Sequence, residues 1–341
     1  MKILLIGAAG FTGRAAAVEL ARRNEVGELI LVDYVIRDAK RLAKALSPKC
    51  RWAMADVGKA QELSRLLEGI DAVANAVGPC AEYEKAVLLA CASGGVAAAS
   101  IGDGTLPAED RQEVDAAFRA AGAPAVVGCG WMPGWTELLA ARLLGPGDAG
   151  PVPAMPGPPA RYLFFSPARF GGYAFLRGVA KGITDAAPSP TGAPAGRYFA
   201  LPDGSTIGVP EGKAGNRLSA IVGTLGTLGT VGREFAAALL LWTRGGMTEP
   251  PGTPAAVSGV VSGDRFARVE DPQGKLGAML LAETAVRLAA RPRKATGLLP
   301  LPELLGKEEA EAIAAAAGAR IVTNRPHRQA HDAGGSPERR P

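Results

Sequence analysis

The chain has 341 residues, 48% of them hydrophobic and 21% charged, a balance that excludes a disordered or collagen-like polymer and leaves room for two cores. Its net charge of +5 comes with only 5% aromatic residues and no Lys/Arg run before the tail, so the excess reads as solubility with modest attraction for anionic cofactors rather than as a nucleic-acid surface. The four cysteines show no CxxC spacing, no apolar run reaches the roughly 20 residues of a spanning helix, and the opening stretch is a short strand rather than a signal peptide; a reducing cytoplasm with no stable membrane insertion is expected.

From Met1 to about Leu144, short β-rich runs alternate with alanine- and leucine-rich helical stretches. Strands are predicted at Lys2 to Ile6, Leu29 to Val32, Arg51 to Ala53, Ala72 to Ala76, Val96 to Ser100 and Ala125 to Val127, with helices such as Thr12 to Arg23, Ala81 to Ser93 and Leu106 to Ala121 between them. This pattern predicts an α/β fold, a Rossmann doubly wound parallel sheet over residues 1–145. Gly7, Gly10 and Gly13 fall between the first strand and the first helix, where they permit a tight turn, backbone approach to a pyrophosphate and close helix packing. Ala9, Phe11 and Thr12 complete the turn, whose helix end faces the negative charge. Asp33 ends the second strand where a ribose-binding acid belongs, which favours NAD(H) over NADP(H); Arg37 and Arg41 keep NADP(H) open by lying within reach of a 2′-phosphate.

Gly145-Pro146-Gly147 and the proline-rich stretch after it read as a boundary. A second α+β domain is predicted over residues 160–272, as an antiparallel sheet with strands at Arg161 to Ser166 and Arg197 to Ala200. The apolar helix Phe235 to Trp242, flanked by Arg233 and Arg244, reads as a subunit interface, hence a homodimer. Residues 273–322, with helices at Leu276 to Ala289 and Glu308 to Ala317 and a strand at Arg320 to Val322, are expected to return to the first domain. Residues 323–341, which hold both histidines, His327 and His331, form an expected disordered tail.

The segments Gly7 to Arg14, Asn75 to Pro79, Ala120 to Gly134 and Lys275 to Ala289 together resemble the saccharopine dehydrogenase-like family in order and spacing. The resemblance covers the first domain and the C-terminal return. It implies an enzyme transferring hydride between NAD(P)H and a C=N or C=C bond, with the nicotinamide near the loops Gly78-Pro79-Cys80, Gly102-Asp103 and Gly128-Cys129-Gly130. The dinucleotide is expected to lie also along Asp56, Val57, Ala76 and Val77, and the substrate against Cys129, Trp131, Met132, Pro133 and Gly134. Saccharopine reductases carry an acidic residue before that Pro-Gly pair; Met132 stands there in this chain.

A nicotinamide enzyme needs its protein to position a planar acceptor and to handle one proton. With no histidine before the tail, the candidates are Cys80 and Tyr83 at the start of a helix and Asp103 at the carboxyl edge of the sheet. Each has an ordinary alternative: Cys80 as a small buried residue, Asp103 as a helix or turn cap. Cys129 has no body histidine to activate it as a nucleophile, and no metal site is expected. Arg161, Arg169, Arg177 and Lys181 are open to binding a substrate carboxylate or a carrier phosphopantetheine, or to simple solvation. The leading expectation is an oxidoreductase acting on a small-molecule, amino-acid-derived imine. A trans-acting enoyl reductase and a non-catalytic dinucleotide-sensing regulator are the alternatives.

Overall fold

A computed structural model describes residues 1–102, 106–144, 159–182, 186–211, 252–290 and 295–324, with seven single residues between 216 and 243. The first half runs β1 (Lys2–Ile6), α1 (Phe11–Arg22), β2 (Glu28–Asp33), α2 (Ile36–Leu46), β3 (Cys50–Met54), α3 (Ala60–Ser64), β4 (Ala72–Asn75), α4 (Cys80–Ser93), β5 (Ala97–Ser100), α5 (Ala108–Ala120), β6 (Pro124–Val127) and α6 (Trp135–Leu144). The second half runs β7 (Ala160–Phe165), α7 (Tyr173–Gly182), β8 (Ala186–Ala187), β9 (Gly196–Ala200), β10 (Thr206–Pro210), β11 (Ala256–Ser262) and β12 (Arg265–Asp271). It closes with α8 (Leu276–Ala290), β13 (Gly297–Leu298), α9 (Leu301–Leu304), α10 (Lys307–Ala317) and β14 (Arg320–Asn324).

Strands β4 and β5 are buried at every residue, as expected where helices cover both faces of a parallel sheet. The first sheet has the order β13-β6-β5-β4-β1-β2-β3, every pair parallel. This is the doubly wound order the sequence predicts, extended at its β6 edge by β13 from the C-terminal part. The order reverses between β1 and β4, which makes the crevice outside their carboxyl ends the natural ligand position.

The second sheet has the order β14-β12-β11-β7-β10-β9-β8. It is mixed rather than wholly antiparallel: β10 runs parallel to β7, with Thr206 opposite Tyr162. The strand expected to return with the C-terminal part to the first domain joins this second sheet instead, because β14 pairs along β12 from Phe266–Asn324 to Glu270–Arg320. The helix predicted at Phe235 to Trp242, the glycine-rich stretch Gly223 to Gly232 and the tail beyond Asn324 lie outside the continuously described residues.

One apolar core joins the two sheets. It holds Ile3, Leu5 and Leu29 of the first sheet, Leu139 of α6, Leu280 of α8, and Val260 and Val269 of the second sheet. Helix α8 is its axle, buried over most of its surface, with Glu283 and Arg287 on the side left open. Asp271, itself fully buried, receives the N–H groups of Gln273 and Leu276 at 2.8 Å each and so caps the start of α8. Asp271→Ala is expected to destabilise the fold by about 1–2 kcal/mol, whereas Asp271→Asn keeps an acceptor and most of the stability. Thermal unfolding would register this as a loss of about 2–4 °C per kcal/mol.

Candidate functional site

The glycine turn is fixed before any ligand enters it. Gly7 takes a left-handed conformation at φ 75°, and its N–H and that of Ala8 both donate to the Val32 carbonyl, at 2.9 and 3.1 Å. A Cβ on Gly13 would stand 2.0 Å from the Gly7 carbonyl oxygen, so only glycine lets α1 enter the turn this closely. Arg14 Nε donates to the Ala9 carbonyl at 2.6 Å and braces the turn from the helix side.

The turn's own amides are spent internally. Besides Gly7 and Ala8, the Ala9 N–H donates to Asp33 Oδ2 at 2.8 Å and the Gly10 N–H to the Gly7 carbonyl at 3.1 Å. The amides that open α1 at Phe11, Thr12 and Gly13 receive no side-chain cap from Gly10, the N-cap residue. A helix N-terminus left in this state at the switch point of the sheet fits a pyrophosphate. Ala9, expected among the cofactor-binding residues, gives its amide to Asp33 instead.

Asp33 is tied to backbone at both carboxylate oxygens. Its second carboxylate oxygen accepts the Val35 N–H at 3.0 Å, so both oxygens hold backbone, one in the glycine turn and one at the entry to α2. Arg37, two residues beyond Val35, is highly exposed and pairs with its neighbour Asp38, at 3.5 Å. After β3, Asp56 closes its own turn by accepting the Gly58 N–H at 3.0 Å, while its N–H is held by Glu62 at 2.9 Å; Val57 packs against the apolar core.

The segment after β4 lies against the turn: a Cβ on Gly7 would come within 2.9 Å of Ala76 and Val77 backbone. Gly78–Pro79 is a cis peptide, as is Met132–Pro133. Cys80, buried at the start of α4, donates its thiol to the Val77 carbonyl at 3.6 Å, which matches the ordinary alternative for this residue. Tyr83 is half-buried on the next turn. Gly102 is buried after β5, and Asp103 lies outside the described residues.

The second domain closes over this edge. A Cβ on Gly172 would meet Phe11 at 3.1 Å, and one on Gly78 would meet Ala174 of α7 at 2.9 Å. Phe170 stands edge-on to both Phe11 and Trp131, at 5.5 and 5.4 Å between ring centres, and to Phe175 at 5.3 Å. Met132 packs into the same cluster. Glu137 receives the Gly134 N–H and the Thr136 hydroxyl, then pairs with Arg161 of the second sheet at 3.4 Å, so this first-turn charge fastens Pro133-Gly134. The remaining arginines named from the sequence are likewise engaged: Arg177 with Glu82 at 2.8 Å and Arg169 with the Thr253 carbonyl.

Cys129 is fully buried under Ser100 and Thr284, and burial pushes its thiol up to about 12. It belongs to the core beneath the predicted substrate wall rather than to its surface. Sequence reasoning passed over Asn75, Ser100 and Glu84, three buried polar residues at the ends of β4 and β5 and on α4. Glu84 was open to discovery: it sits on the stripe Cys80, Glu84, Val87, Leu88, Cys91, where the helical period demands apolar residues. Among the described residues no group of histidine, cysteine or carboxylate side chains forms a metal site, and no helix is long and apolar enough to cross a membrane.

Residues 3–124 match the family model for the saccharopine dehydrogenase NADP binding domain. No curated protein matches the chain. Among solved structures, apo saccharopine dehydrogenase (L-Glu forming) from Saccharomyces cerevisiae aligns over 95% of this chain and 100% of its own, with a TM-score of 0.55 and 12% identity. Triphenylmethane reductase from Citrobacter sp., complexed with NADP(H), aligns over 37% of this chain and 48% of its own, at 16% identity and a TM-score of 0.30. Serine dehydrogenase from Escherichia coli covers 37% of this chain and 81% of its own, at 13% identity and a TM-score of 0.29.

A thiol raised by burial contributes no thiolate until the pH climbs through its raised value, so Cys129 is expected to stay unmodified by iodoacetamide at pH 8 in the folded protein. Unfolding in guanidinium should expose it to full alkylation. Peptide mass spectrometry reads both states, and ready labelling of native Cys129 would contradict its placement in the core.

Proposed function

We propose that this chain, whose residues 3–124 match the saccharopine dehydrogenase NADP binding domain and whose fold is similar to that of saccharopine dehydrogenase, transfers hydride to or from the C=N bond of an amino-acid-derived imine. The domain family makes it an NAD(P)-dependent oxidoreductase. The observation that carries the site assignment is the uncapped opening of α1, pressed against the glycine turn at the switch point of the sheet.

In this reading the first-turn amides of α1 hold the pyrophosphate, and the segment Ala76 to Pro79 with Gly102 lies along the nicotinamide half. When bound, the dinucleotide supplies or accepts the hydride. Phe11, Trp131 and Phe170 close the space over that half and keep water from it. Pro133-Gly134, fastened through Glu137, sets the far wall. Cys80 is spent on the Val77 carbonyl, so the proton is assigned to the Tyr83 phenol. A homodimer and a cytoplasmic setting belong to the same proposal, supported by exposed Phe235 and Trp242 and by four cysteines without a disulfide.

A second reading, reduction of a C=C bond in an enoyl substrate, is favoured by one observation: the aromatic cluster is apolar, while Arg161, Arg169 and Arg177 are engaged within the protein. The assay that separates the two supplies NADPH or NADH with 2-oxo acid plus amine pairs in one arm and enoyl thioesters in the other, and follows absorbance of the reduced nicotinamide. Turnover with the amine pairs is expected, and turnover with enoyl thioesters alone would replace the first reading by the second. Tight binding without turnover in either arm would leave a dinucleotide sensor. With the turning-over substrate, Tyr83→Phe should lower kcat by about a hundredfold with little change in dinucleotide affinity.

NADP(H) is the proposed coenzyme, because Asp33 is bound to backbone and Arg37 stands exposed in the first turn of α2, four residues on in sequence. Arg37→Ala should weaken NADPH binding by about tenfold and leave NADH unchanged, a charge-assisted contact to phosphate being lost. Asp33→Ala should weaken both coenzymes, since it frees the Ala9 amide and loosens the turn. Fluorescence titration measures each, and a gain of NADPH affinity in Asp33→Ala would restore the ribose role for that carboxylate.

A further inference from the structure

At the centre of the carboxyl edge, three fully buried polar side chains form a chain of hydrogen bonds with one direction. The Asn75 amide donates to Ser100 Oγ at 3.0 Å, and the Ser100 hydroxyl donates to Glu84 Oε1. Asn75 Oδ1 in turn accepts the Val77 N–H at 3.2 Å. Asn75 and Ser100 face each other across β4 and β5, and Glu84 comes from the first turns of α4. The space around the carboxylate is tight: a Cβ on Gly102 would stand 2.8 Å from Glu84 Oε1 and 3.0 Å from the Gly128 amide nitrogen.

Burying a carboxylate in an apolar helix face is unfavourable, and a leucine would serve packing better. What the carboxylate gives is polarity. Its Oε1 accepts from Ser100, so the serine proton points towards Glu84 and the serine lone pair faces Asn75. Asn75 is then held with its NH2 towards Ser100 and its oxygen towards Val77. Without an acceptor at position 84 the serine proton is free to point at Asn75, the amide is free to flip, and the Val77 N–H loses its partner. Val77 belongs to the segment against which Gly7 is packed, so the order of this segment reaches the glycine turn directly.

We infer that Glu84 is a positioning residue which, through Ser100 and Asn75, fixes the Ala76 to Pro79 segment against the glycine turn and thereby pre-forms the nicotinamide half of the coenzyme site. The inference rests on the reading of this edge as a dinucleotide site. It involves no proton transfer and no contact between Glu84 and substrate.

The test uses the full chain, with NADPH affinity by fluorescence titration and amide exchange of the segment 72–80 by mass spectrometry. Glu84→Leu and Ser100→Ala should each weaken NADPH binding by about tenfold and speed exchange at Val77, and the double variant should be no worse than either single one, because both cut the same chain. Glu84→Gln retains an acceptor for the Ser100 hydroxyl and should bind and exchange like the wild type. Losses that multiply to about a hundredfold in the double variant, unchanged exchange at Val77, or a Gln variant as impaired as Leu with an unaltered melting temperature would each overturn the inference. Should Glu84→Leu fail to fold, Ser100→Ala, a smaller change in the same chain, decides it. Failure of the wild type to bind NADPH would remove the dinucleotide reading, while the exchange data would still judge the positioning role.

Discussion

The close approach of α1 to the end of β1 is the constraint on which the carboxyl edge depends. Gly13 lies so near the Gly7 carbonyl that any side chain there would have to move backbone, and the backbone concerned is itself tied to Val32 and to Ala76 and Val77. The turn, the start of the second crossover and the segment after β4 are therefore one rigid object. Its amides are satisfied internally up to Gly10, which leaves the helix opening as the part of the motif with hydrogen-bonding capacity to offer.

This explains what was legible in the sequence and what was not. The glycine spacing, the run of small apolar strand residues and the alternation with helices are local, and they foretold a doubly wound sheet whose strands lie close to where Lys2 to Ile6, Ala72 to Ala76 and Ala125 to Val127 placed them. The partner of a side chain is not local. Asp33 stands at the position of a ribose ligand, yet its carboxylate is drawn to two backbone amides, one of them 24 residues away. Glu84, Ser100 and Asn75 come from three elements, and only the folded register of β4 against β5 brings them together. Edge pairing is similarly hidden: Arg320 to Val322 reads as a strand, but nothing in its three residues tells which sheet will take it.

The second domain contributes more than a lid. Phe170 bridges Phe11 of the glycine turn to Trp131 of the Met-Pro-Gly loop; Gly172, just before α7, lies against Phe11, and Ala174 of α7 against Gly78 after β4. The contacts around Trp131 and Phe170 are thus aromatic and join elements of both halves, whereas those around the glycine turn are backbone contacts within the first half.

The shared core also sets an order of events during synthesis. Leu276 to Ala290 fills the face of the first sheet opposite α4 and α5, and Gly297–Leu298 completes that sheet beside β6. A nascent chain that has released only β1 to α6 would therefore carry a parallel sheet with one face only partly covered, by α1 and α6, and its β6 edge unpaired. The dinucleotide half, though encoded first, gains its native stability only after nearly the whole second half has left the ribosome, and until then its exposed alanine and leucine face is the stretch most in need of a chaperone.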